Sequence, residues 1–161
     1  MSTEKPERSL LALILIPAII SNVVTLLRLG VELAGLSDTA HFTDAGWWVS
    51  VSLLIPVFGL YFAYMLQDAR RPFAKLPLTL LVYGLTVRIP TAFLYWFAGN
   101  QGWHTHYSDW TMHAGGSYLK EGFIPQMFIW PIITVVAGCI AGYPLLLWLR
   151  SRKTSTSASA V

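Results

Sequence analysis

The chain has 161 residues, a length that suits one domain, with 55% hydrophobic and 12% charged residues and a formal net charge of +3. That charged share is about half the share usual in soluble domains, so a water-soluble fold of this size would have far more apolar surface than it could hide. The positive excess gathers at the ends of apolar runs rather than along a groove-lining face, which excludes a nucleic-acid reader.

Eight residues of mixed sign (including Glu4, Lys5, Glu7 and Arg8) precede the first apolar run, 9–30, of which 9–27 carry no charge. The run is too long for the apolar region of a signal peptide, and no clear small-residue cleavage site closes it. It reads as a retained first membrane helix. Further runs cover 45–67, 76–97 and 123–149. A helix rises about 1.5 Å per residue, so about 20 residues cross a hydrocarbon core of about 30 Å. The expected fold is therefore all-α: four transmembrane helices in an up-down bundle within a 1–153 domain, with an outer loop at 98–122. The tail 154–161 (TSTSASAV) is small, polar and aperiodic, and is expected to be disordered.

Basic residues favour the cytoplasmic side of a membrane. Lys5 and Arg8 precede run one, Arg70, Arg71 and Lys75 join runs two and three, and Arg150, Arg152 and Lys153 follow run four. The opposite side carries Lys120 alone, while Arg28 and Arg88 lie within runs. Four spans also put both termini on one side. Span count and charge agree on cytoplasmic termini in a cell (inner or plasma) membrane, with the loop after run three outside. Trp47, Trp48, Tyr95, Trp96 and Trp148 mark the run edges, where amphipathic rings prefer the headgroup level.

Prolines interrupt every run: Pro17, Pro56, Pro90, Pro131 and Pro144. Each removes a backbone donor and frees a carbonyl, which Ser or Thr side chains or a neighbouring helix can satisfy. Run four holds Gly138 and Gly142, a GxxxG pair that lets helix backbones approach closely, with the partner in the same chain or in another copy. The single cysteine, Cys139, forms no internal disulfide and reads as a small packing residue.

Chemistry-bearing residues fall in two groups. Arg88 lies eight residues before the outer marker Trp96, roughly 12 Å below that level. A cation at such depth faces the bundle interior and needs a partner. Glu32, just past run one, is the expected carboxylate, and Asn22, Ser52, Tyr83 and Thr91 are further hydrogen-bonding groups. Arg28 stands four residues before Glu32, so those two could instead pair on one helical face. Arg88, Arg28, Glu32 and Asn22 thus form either a structural network or a site for an anionic ligand or lipid headgroup.

The second group lies in the outer loop, where residues 103–113 read WHTHYSDWTMH. His104, His106, Asp109 and His113 are of the types that ligate a divalent metal, yet the spacing matches no specific metal signature. Anchoring at the membrane interface is the plainer alternative. No cofactor is firmly implied. All four histidines lie outside the runs, which argues against a haem held between helices, and no acidic residue sits mid-run to support a proton relay. Neither GxSxG, a phosphate-cradling Gly loop nor HExxH occurs. The first expectation is a non-catalytic structural or accessory component whose partners are the lipid bilayer and either its own copies or a larger membrane complex. The alternatives are an outer-facing ligand-, lipid- or metal-handling protein or enzyme, and a small transporter.

Overall fold

The computed structural model describes residues 10–36, 50–103, 105 and 122–158, with side chains up to Lys153. These form four helices and, among the described residues, no strand: α1 (Leu10–Leu33), α2 (Val51–Leu66), α3 (Pro72–Asn100) and α4 (Trp130–Ala158), the last entered through a π-helical turn at Pro125–Ile129. Three spans are long and apolar enough to cross a membrane: α1, α3, and the π turn continued by α4 over Pro125–Lys153. The described part of run two, α2, has 16 residues and extends about 24 Å.

Each helix buries one face, which carries its inward polar and small groups together with large apolar ones such as Phe62, Leu76 and Leu80, and leaves other large apolar groups exposed. In α1 the buried positions Ile14, Ala18, Ser21, Thr25, Leu29 and Glu32 recur every three or four residues and define one face. The opposite face leaves Leu11, Leu15, Ile16, Ile19 and Leu26 exposed. Leu60 and Tyr64 on α2, Phe93 and Trp96 on α3, and Ile132 and Ile140 on α4 continue that exposed apolar surface. Water would penalise so wide a patch. Hydrocarbon would not, which gives the exposed faces their physical sense.

The contacts place α2 and α3 centrally. Both touch α1 and α4, whereas α1 and α4 barely meet. Residues 67–71 reverse the chain between α2 and α3. Arg71 adopts a left-handed conformation (φ 61°) and Pro72 opens α3, a position where its missing N–H loses no helical bond. At the centre the Tyr83 hydroxyl and Ser21 Oγ share a 2.6 Å hydrogen bond between α3 and α1. The rings of Phe58 and Phe62 on α2 meet that of Tyr83 edge-on at 5.4 and 5.5 Å.

The α2–α4 seam is built on glycine. A Cβ on Gly59 would lie 2.8 Å from Gly138 Cα, and one on Gly142 would lie 2.8 Å from Gly59 O. The GxxxG pair is therefore engaged within the same chain, with Gly59 as its counterpart. Closer to the start of α3, Pro77 cannot donate to the carbonyl four residues back, that of Phe73. The Tyr143 hydroxyl of α4 donates to that carbonyl at 3.2 Å.

Observed boundaries differ from the runs in two instructive places. α3 starts at Pro72 rather than 76, because Pro72 nucleates the first turn and carries Lys75 into the helix. α4 continues to Ala158, through part of the segment that composition reads as a disordered tail. No Gly or Pro follows Pro144 to stop it.

Candidate functional site

The buried cation lies where α3 passes the start of α4. Arg88 is 6% exposed and stands about 7.5 Å above Tyr83 along α3, five residues on. Its Nη1 donates to Gln126 Oε1 at 3.3 Å, and its guanidinium carbon sits 4.6 Å from the centre of the Trp130 ring. Gln126, 1% exposed, projects from the π turn. The stacked Arg–Trp arrangement is a cation–π contact, strengthened by desolvation.

Local sequence explains that turn. Pro131 lacks the N–H that would close the α-helical turn onto residue 127, and its ring crowds that carbonyl. Widening the preceding turn relieves the clash, and the Trp130 N–H bonds to Pro125 O five residues back. This proline-bounded segment packs on α3 beside Gly84, where a Cβ would lie 3.4 Å from Pro131 Cα, an ordinary contact distance. Gln126 and Trp130 are thereby both presented to Arg88.

A second charged group lies towards the ends of α1 and α3. Arg28 Nε donates to Glu32 Oε1 at 2.9 Å along one face of α1, and the Glu32 side chain is only 2% exposed. Nearby, Leu29 packs with Tyr95 and Ala98 of α3. Glu32, expected opposite Arg88, pairs with Arg28 on its own helix, the alternative that the sequence also offered, and a neutral amide that charge counting overlooks, Gln126, is one cross-helix partner of Arg88. Asn22 Nδ2 donates to the Ala18 carbonyl at 2.8 Å. Thr91 returns its hydroxyl to Val87 O at 2.8 Å, and Tyr83 meets Ser21 as described.

Gly138 and Gly142 belong to the α2–α4 seam. His104, His106, Asp109 and His113 lie outside the described residues. Among the described residues no group of three or more His, Cys, Asp or Glu side chains could hold a metal. No protein-family model, curated protein or solved structure matches this chain.

Proposed function

We propose that this chain is a four-span integral protein of a cell membrane with both termini in the cytoplasm, and that it acts as a non-catalytic structural or accessory component of a membrane assembly. One observation carries the reading. Several buried polar and small residues join one helix to another, while every helix offers an apolar face outward. Arg88 ties α3 to the π turn, Tyr83 ties α3 to α1, Tyr143 ties α4 to α3, and the glycines join α2 to α4. Interhelical hydrogen bonds and close small-residue contacts are what hold helices together where lipid supplies no hydrophobic drive.

Reporter fusions test the topology. A fusion near residue 105 should report the extracytoplasmic side and one after residue 155 the cytoplasm. Both on one side would overturn it. Purification from native membranes under mild detergent tests the role: a stoichiometric membrane partner or a defined homo-oligomer is expected, and a monomer alone would count against it.

A second reading rests on the π turn, since such turns are frequent at functional sites. Here Arg88, Gln126 and Trp130, with the His104–His113 loop, would handle an anionic or metal ligand on the outer side. Metal analysis of the purified protein and of a His104→Ala/His106→Ala variant discriminates. Near-stoichiometric metal that is lost in the variant would favour this second reading.

A further inference from the structure

We propose that the end of the molecule where α3 begins and α4 finishes is a binding surface for anionic phospholipid headgroups; the inference rests on the membrane topology proposed above. The chain brings two basic segments together there. Arg70, Arg71 and Lys75 come from the α2–α3 connection and the first turn of α3, and Arg150, Arg152 and Lys153 come from the last turns of α4.

Three contacts fix their proximity. Lys153 pairs with Asp68, the Arg150 guanidinium lies 5.4 Å from the centre of the Phe73 ring, and Tyr143 holds the Phe73 carbonyl. Over 67–75 and 145–158, Asp68 is the sole acidic residue against six basic ones, a net charge of +5. Arg70, Arg71, Arg150, Arg152 and Lys153 are exposed.

The aromatic residues set the depth of this surface. Arg152 lies 4.0 Å over the ring of Trp148, itself exposed, and Leu147 beside it opens onto the apolar face. A ring of that kind rests at the headgroup level, which places the stacked guanidinium among the lipid phosphates. Guanidinium groups bind phosphate through paired donors. Among the described residues Asp68 is the sole acidic group at this end, and it is paired with Lys153. Clusters of four to eight basic residues beside a span are the expected footprint of anionic lipid recognition.

The test uses the full-length protein in nanodiscs of phosphatidylcholine mixed with phosphatidylglycerol, with native mass spectrometry counting the lipids retained on release. The wild type should keep phosphatidylglycerol in preference to phosphatidylcholine. Arg71→Gln/Arg152→Gln should lower that preference about 25-fold, about fivefold for each charge removed at low salt. Arg71→Lys/Arg152→Lys, which keeps the charges, should retain most of it, and this variant separates electrostatics from loss of fold. Co-elution with the discs is measured first: failure to insert refutes the membrane reading itself. Insertion without a phosphatidylglycerol preference, or a preference untouched by the glutamine variants, refutes the headgroup site alone. A flat lipid response joined to charge-dependent binding of an acidic protein would also refute it, by reassigning the surface to a protein partner.

Discussion

Around Gly59, Gly138 and Gly142 the helices approach until backbone meets backbone, whereas around Arg88, Gln126 and Trp130 they are linked through long side chains. Both regions involve α4 or the π turn that leads into it, and both serve the same need, association of helices without a hydrophobic drive. They answer it differently. The glycine seam gains dispersion and leaves little room for added atoms. The arginine region gains charge-assisted bonding and depends on chemical identity more than on volume. Substitutions that add volume should therefore damage the first region, and substitutions that change polarity should damage the second.

The largest effect is expected at Gly59. A methyl group there meets the backbone of Gly138, which cannot step aside, whereas a methyl on Gly138 meets the tip of the Leu80 side chain, which can rotate. Gly59→Ala should destabilise by about 3 kcal/mol and Gly138→Ala by about 1 kcal/mol, the two ends of the usual overpacking range. Reversible unfolding in mixed micelles measures both. Equal values would mean that the seam is looser than its geometry implies.

Next is Gln126. Gln126→Leu keeps the volume and removes the amide oxygen that accepts the hydrogen bond from Arg88, so it should cost about 2 kcal/mol, the scale of a hydrogen bond to a charged group. Arg88→Lys retains charge but loses the planar stack on Trp130, and should not restore wild-type stability. A Gln126→Leu protein as stable as wild type would show that the amide contributes nothing to holding this region.

The two regions were unequally legible in the sequence. Arg88 announced its burial because a charge inside an apolar run has few alternatives. Its contact with Gln126 did not, since Gln126 is neutral, lies 38 positions away, and reaches Arg88 from a turn whose π register depends on Pro131. The GxxxG pair was visible as a motif, and Gly59 with Ala63 four residues on is its small-residue counterpart on α2, yet nothing in the sequence says that these two spacings face each other. Pairing between distant helices is a property of three-dimensional packing, and helical period alone fixes only which face turns inward. The inward face of α1 follows that period closely. The four runs matched four helices, although residues 37–49 and most of the histidine loop lie outside the described residues.

A smaller effect links Tyr143, beside Gly142 of the glycine seam, to Pro77 on α3. If Tyr143 serves the carbonyl that Pro77 leaves open, the two residues are energetically coupled. Tyr143→Phe should cost about 1 kcal/mol in the wild type, within the range found for interhelical hydrogen bonds in membranes. In a Pro77→Ala background the restored N–H supplies that carbonyl from within α3, and the same substitution should cost close to nothing. A double-mutant cycle reads the difference directly. Additive effects would separate the tyrosine from the proline and leave the Phe73–Tyr143 ring contact as the only link.

The smallest effect belongs to a contact that looks strong on paper. Lys153 and Asp68 pair across the α2 and α4 ends, but their side chains are 53% and 76% exposed, so water and salt compete for both charges. Asp68→Asn should change stability by less than about 0.5 kcal/mol, the scale of exposed ion pairs. It should also raise the local positive charge and strengthen retention of anionic lipid. Opposite responses of stability and lipid binding to one substitution would identify Asp68 as a modulator of that surface rather than a fastener of the helices. A large stability loss would instead show that α4 past Arg150 is fixed by its charges and that the glycine seam does not hold it alone.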